Sequence, residues 1–179
     1  MVQLSYLFIA ASLVASGFAS PAKRTVAQVE ADIATITSQV NALDTQITGF
    51  PASGLTGALA IHSAAGTLET ALSTGTSDVK STGSLSEADG TTVLNSVSAL
   101  SPTILDSLSQ LTAKKASFAA LPIAGIPALV LADLQALNAS TGAFSAALIA
   151  SAPADQVATA TSLQNGVIAA FNTAIAAYE

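Results

Sequence analysis

The sequence predicts an all-α protein: a single-domain bundle of about five amphipathic helices, preceded by a cleaved signal peptide. Three observations predict it. Apolar residues over 25–50 recur in steps of 3 and 4, the period of packed helices. No stretch alternates apolar and polar residues beside a hairpin turn. Residues 4–15 form an apolar block that is followed by small residues and is too short to span a bilayer.

The leader comes first. Residues 1–20 read MVQLSYLFIAASLVASGFAS, with Gly17 and Ala19 at −3 and −1 of a cut after Ala19. That is the pattern of a secretory signal peptide over 1–19, with the amino terminus as its only positive charge. Lys23-Arg24 follows as a dibasic processing site, which makes 20–24 a short pro-segment and 25–179 the mature domain. In that domain Lys80, Lys114 and Lys115 stand against eleven Asp and Glu. The chain has no Cys, so a secreted fold must be held by packing alone.

Helix one runs from Thr25 to Phe50, with Val26, Val29, Ile33, Ile36, Val40, Leu43, Ile47 and Phe50 on one seam. Thr25 and Gln28 stand in capping-box register at its start, and Gly49 and Pro51 end it. Helix two is expected over Gly54–Ser77, with Leu55, Leu59, His62, Ala65, Leu68 and Leu72 facing inward, weakened by Gly57, Gly66 and Gly75. Gly83 breaks the chain, and Ser84 with Glu87 or Ser86 with Asp89 opens helix three. Its seam of Val93, Val97, Leu100, Ile104, Leu108 and Leu111 extends to about Phe118, with a kink or short break expected near Leu100 because of Pro102.

The connection over 121–127 is apolar where loops are usually polar. Helix four is expected over Ala128–Ser151 with Val130, Leu134, Leu137, Phe144 and Leu148 inward. Pro153 and Asp155 mark the first turn of helix five, whose inward residues are Val157, Leu163, Val167, Phe171, Ile175 and Tyr178. The flanks of these helices are Ala, Ser and Thr rather than Glu and Lys. Residues 116–132 and 157–178 carry no charge, but Pro, Gln, Asn, Ser and Thr interrupt both stretches, so neither reads as a membrane span.

Composition narrows the function. The chain is 51% hydrophobic and only 9% charged, where about 25% charged is ordinary. A net charge of −6 cannot neutralise a row of phosphates, which argues against a nucleic-acid partner. Without Cys there is no thiolate site, and a single His leaves no two-His metal site, so no cofactor is expected. His62, with Ser63 beside it, is the one imidazole base, but no Gly-x-Ser-x-Gly elbow accompanies it. It reads as a hydrogen-bonded packing residue at a helix contact. Glu30 with Asp32, and Glu87 with Asp89, sit near helix starts and complement the dipole there. The chain reads as a non-enzyme. Asn138-Ala139-Ser140 is an N-glycosylation sequon inside helix four, which leaves Asn138 only partly accessible.

These segments resemble one family. A leader and dibasic pair precede TVAQVEADIATITSQVNALDTQITGFP; then come SLSEADG, the long VLNSVSALSPTILDSLSQLTAKKASFAALP, and an Ala-rich pair of helices ending in AIAAY. Together they are similar to the fungal hydrophobic surface-binding proteins, a family that includes the cell-wall galactomannoproteins. The resemblance implies an extracellular helical domain over 25–179 that adsorbs to hydrophobic solids and recruits a secreted cutinase-type hydrolase there. Its galactomannoprotein members imply the alternative: a carrier or cell-wall antigen that holds a fatty acid inside the bundle. The chain lacks the Ser/Thr-rich tail and anchor signal of wall-bound members, which puts wall association in doubt.

Both readings need apolar area available to a guest. For a pocket, the residues expected to line it are Leu100, Ile104, Leu129, Leu134, Phe144, Leu148, Val167 and Phe171. An empty pocket of about 300 Å³ would cost about 7 kcal/mol, comparable to a whole domain's stability. A roomy cavity is therefore expected to be filled by lipid or collapsed.

Overall fold

The computed structural model describes residues 25–179; the signal-peptide and processing readings at Ala19, Lys23 and Arg24 lie outside the described residues. The described residues form helices without strands: α1 (Val26–Gly49), α2 (Gly54–Thr82), α3 (Glu87–Ala113), α4 (Lys115–Ala119), α5 (Ile126–Ser151) and α6 (Val157–Tyr178).

Helix α1 follows its seam. Val29, Ile33, Ile36, Val40, Leu43 and Ile47 are buried, and Phe50 is buried just past its end. Thr25 caps it by accepting from the Gln28 N–H at 3.3 Å, while the Gln28 amide goes forward to Asp32 at 3.0 Å instead of back to the cap. Only half of the capping box is made.

Helix α2 corrects two expectations. It continues past Ser77 to Thr82 and stops where Gly83 takes φ +84°, a left-handed turn open to glycine. Its buried face is Ala58, Ile61, Ala65, Leu68, Leu72, Gly75 and Val79, so Leu59 and His62 lie outside. Gly75 faces α5 so closely that a Cβ there would stand 2.9 Å from the Phe144 ring. Small residues on this face bring the two backbones together.

Helix α3 starts at Ser86, whose hydroxyl accepts from the Asp89 N–H at 3.2 Å. It passes through Pro102 without a break. Pro102 is exposed, so its ring and the carbonyl deprived of a partner four residues earlier sit on the solvent side. The expected single helix to Phe118 is instead divided at Lys114 into α3 and the short α4. That turn carries Phe118 inward to stack on Phe50, with centroids 4.0 Å apart and planes at 12°. Helix α5 begins at Ile126, two residues ahead of Ala128, directly after Gly125 at φ +92°.

The five long helices close into a ring. α1 packs on α2, α2 on α5, α5 on α6, α6 on α3, and α3 on α1. Side-chain bonds fix their directions. Gln156 reaches Glu87 and Tyr178 reaches Leu111, so α6 and α3 run parallel. Asp44 meets Ser107 while Lys114 meets Ile47, so α1 runs with them. His62 meets Asp133 and Gly75 meets Phe144, so α2 and α5 run together the other way.

The carboxyl ends of α1, α3 and α6 therefore share one end of the molecule, the upper one. Lys114 donates to the carbonyls of Ile47 and Thr48, and Lys115 to that of Ala177. These cations answer the unpaired carbonyls and negative dipole ends of α1 and α6. The Phe50–Phe118 stack plugs the same end. Nearby, the Tyr178 hydroxyl donates to Leu111 at 2.8 Å, and burial raises its pKa above the ordinary phenol range.

Candidate functional site

A ring of five helices leaves an axis, and here the side chains do not fill it. A cavity of about 140 Å³ runs between α1, α2, α3, α5 and α6. Leu100 and Ile104 of α3, Leu134, Phe144 and Leu148 of α5, and Val167 and Phe171 of α6 all line it. Leu129 does not: it lies half-buried on the first turn of α5, away from the lining.

Most other lining residues come from seams read in the sequence as ordinary core. Ile33, Ile36, Val40, Leu43 and Ile47 form the α1 wall, Leu68 and Leu72 the α2 wall, and Val97 extends the α3 wall together with Leu94, which the seam as read did not include. Their helical spacing was visible; that the seam faces a void instead of a neighbour was not. Among the described residues, the lining contains no Asp, Glu, Lys, Arg or His.

Polar side chains do reach the cavity, and most of their donors are committed. Ser107 donates to Asp44 at 2.7 Å. Ser145 donates to the Thr141 carbonyl at 2.8 Å, and Gln164 to the Ser145 hydroxyl at 2.9 Å. At the lower end Gln156 donates to the Glu87 carbonyl at 3.1 Å and to the Thr91 hydroxyl at 3.0 Å. Ser101 and Thr141 are the other hydroxyls on the lining. Gln156, Gln164, Ser101 and Thr141 carried no signal in the sequence, because isolated polar residues on apolar helices look like flank positions.

The wall between α3 and α6 is only partly sealed. Leu94, Val97, Ser101 and Ile104 on one side, and Ala160, Leu163 and Gln164 on the other, line the cavity yet are only half-buried.

His62 lies outside the ring's interior. Its Nδ1 is 2.9 and 3.0 Å from the two oxygens of Asp133, joining α2 to α5. The His62 side chain is 47% exposed and Asp133 17%. Burial raises the Asp133 carboxyl above its ordinary value; the His62 bond and charge pull it down, and Glu69 adds to the rise. Asn138 is half-buried on α5 against Asn172 of α6, with 3.4 Å between their amides. No described helix is long and apolar enough to cross a membrane.

Residues 26–150 match the family described as hydrophobic surface binding protein A. Among solved structures the chain is similar to Afmp4p in complex with palmitic acid, at 36% identity and a TM-score of 0.80, over 86% of this chain and 99% of that one. It shares the fold of ligand binding domain 1 of the Penicillium marneffei MP1 protein complexed with arachidonic acids, at 17% identity and a TM-score of 0.78, over 86% and 99% of the two chains. Ligand binding domain 2 of that protein, complexed with multiple arachidonic acids, is similar at 21% identity and a TM-score of 0.78, over 88% of this chain and 97% of that one. No curated protein sequence matches the chain.

Proposed function

The chain belongs to the hydrophobic surface binding protein A family, and from that premise we propose that it takes an acyl chain into the cavity at the centre of its helix ring. One observation carries the reading: a mainly apolar void with no Asp, Glu, Lys, Arg or His on its lining among the described residues, in a small domain that would be more stable without it. At about 24 cal/mol per Å³, 140 Å³ of void costs on the order of 3.4 kcal/mol. Each buried methylene returns about 0.8 kcal/mol, so a guest recovers that cost within its first few carbons.

The void is close to the roughly 150 Å³ that holds one benzene ring, less room than a long acyl chain requires. A long chain needs side chains to give way, and the half-buried α3–α6 wall is where they can. Pro102 makes α3 the more pliant partner, since the helix lacks one backbone bond there. The test is native mass spectrometry of protein purified gently from a secreting host. A retained mass of one acyl chain is the expected result; protein that is bare, and stays bare when offered palmitic acid, overturns the reading.

A second reading, adsorption to hydrophobic solids, is supported by the exposed side chains. Leu59, Leu105 and Ile123 are 40–48% exposed, and the Ala120–Gly125 connection adds uncharged surface. A footprint of roughly 800 Å² offers on the order of 20 kcal/mol gross, reduced by ordering and imperfect fit. Depletion by hydrophobic beads that persists at high salt supports this mode; binding lost as salt rises removes it. Secretion through the leader over 1–19 and processing at Lys23-Arg24 fit either mode. Recruitment of a cutinase-type hydrolase belongs to the adsorption mode and is tested by co-depletion on the same beads.

A further inference from the structure

The cavity has firm ends and loose sides. At the upper end Phe50 past α1, Ala65 on α2, Val130 on α5 and Ala174 on α6 each stand about one helical turn above the last lining residue of their helix. None of the four is more than 6% exposed, and the void stops below them. The layer is fastened: Phe118 stacks on Phe50, and Lys114 donates to the carbonyls of Ile47 and Thr48. The lower end is fastened too. Gln156 donates to the Glu87 carbonyl and the Thr91 hydroxyl, and the Leu85 N–H donates to the Ser151 carbonyl at 2.8 Å. Gly90 lies so close to Pro153 that a Cβ there would stand 2.6 Å from its ring.

Between these ends Leu94, Val97, Ile104 and Leu163 line the void but are only half-buried. Turning them outward widens the space by a change of rotamer. Lengthening the space requires unstacking the upper layer or breaking the lower hydrogen bonds. Width therefore yields before length does.

We infer that the ring measures the length of its guest: it rewards each added carbon of a saturated acyl chain up to about twenty and none beyond. Val130 and its layer are the upper stop, and Ala152 beside Gln156 is the lower one. The inference rests on the reading that an acyl chain occupies the cavity. The lining runs from Ile33 to Ile47 on α1 and from Leu134 to Ala152 on α5. At a rise of about 1.5 Å per residue these walls are about 21 and 27 Å long. Carbon–carbon bonds of about 1.5 Å near the tetrahedral angle advance a straight chain by about 1.25 Å each, so about 18 to 22 carbons fill that length. Carbons in excess must bend back or leave through the half-buried wall, and gain nothing from burial there.

The experiment offers protein from a secreting host an equimolar mixture of lauric, palmitic, arachidic and lignoceric acids, each four carbons longer than the last. The acids are delivered from methyl-β-cyclodextrin, and native mass spectrometry reads which are retained. Within the limit each methylene strengthens binding by up to about fourfold, so palmitic acid is expected to exceed lauric acid. Lignoceric acid is expected to be retained no more than palmitic acid. Variants compared in the same mixture cancel the carrier's own preference. Ala152→Leu pushes three carbons into the lower end and should lower the arachidic-to-lauric ratio at least about tenfold. Val130→Ala withdraws two carbons from the upper stop and should raise that ratio about fourfold. Should one variant not fold, the other and the wild type decide. Lignoceric acid dominating on the wild type, or a ratio unmoved in the folded variants, overturns the inference and leaves acyl binding standing. Retention of none of the four acids overturns both.

Discussion

Filling the cavity should raise stability and remove binding at once, an opposition that few core substitutions produce. Ala160 of α6 lines the void beside the α3 wall and is half-buried. Ala160→Leu adds three carbons to a space of about 140 Å³. At about 0.8 kcal/mol per methylene the gross gain is about 2.4 kcal/mol. Ordering a leucine side chain takes back about 0.5–1 kcal/mol. The net, about 1.5 kcal/mol, lies inside the ceiling of about 3.4 kcal/mol set by the void itself. For a domain of this size it corresponds to a rise of about 3–6 °C in Tm. The assay pairs thermal melting of ligand-free protein with palmitic acid titration. A higher Tm with at least about tenfold weaker binding is expected. A variant that is destabilised and binds palmitic acid as the wild type does would refute the premise that this void is both empty and the seat of the ligand.

Three further outcomes follow from the packing. Phe118→Ala removes the plug stacked on Phe50, both no more than 1% exposed, and should cost about 3–5 kcal/mol in denaturant unfolding; a loss under about 1 kcal/mol would show that the upper end is not sealed this way. Gly75→Ala forces the Phe144 ring, 2.9 Å from the new methyl, toward the cavity. The helix gains about 1 kcal/mol in propensity, so stability should change by less than that while acyl affinity falls; unchanged affinity would mean that Phe144 does not yield.

Asp133→Asn tests the half-buried carboxyl of α5 that meets His62 of α2. Because the folded-state pKa is raised, the folded protein holds this proton more tightly than the unfolded chain. The stabilising effect is complete below the ordinary value of 3.8 and is lost as pH rises through the folded value. The wild type should lose stability over that rise while the Asn variant does not, and at neutral pH the variant should be at least as stable. Melts against pH that run parallel for the two proteins would contradict it.

How far the molecule can be read from its sequence differs from helix to helix. The α1 seam was legible because its apolar residues are large and its polar ones unambiguous, so only one face can be buried. Helix α2 was legible only in part: Ala65, Leu68 and Leu72 are buried as expected, but Ala58 and Leu59 are neighbours and size favours the wrong one, for the small residue is buried and the leucine lies outside. The break at Lys114 was hidden because Leu111 and Phe118 keep a helical interval across it. It follows from a tertiary demand, that Lys114 reach the carbonyls ending α1 while Phe118 turns onto Phe50.

The cavity shows the same division. Seven of the residues expected around it do surround it, because a seam residue in a ring of helices faces the axis by geometry. Leu129 does not, because it sits on the entry turn of α5, ahead of the cavity-lining part of that helix. The lower end was illegible: Gln156 acquires meaning only when Thr91 and Glu87, more than sixty residues earlier in the chain, are brought against it.

The claim on which the account turns is that a guest chain lies inside the ring. Isotope-filtered nuclear Overhauser measurements on protein loaded with carbon-13-labelled palmitic acid address it most directly. The account predicts contacts from the chain's methylenes to the methyl groups of Leu100, Leu134 and Val167, which line the cavity. Contacts confined to Leu59, Leu105 and Ile123, which face solvent, would place the lipid on the outside and contradict it.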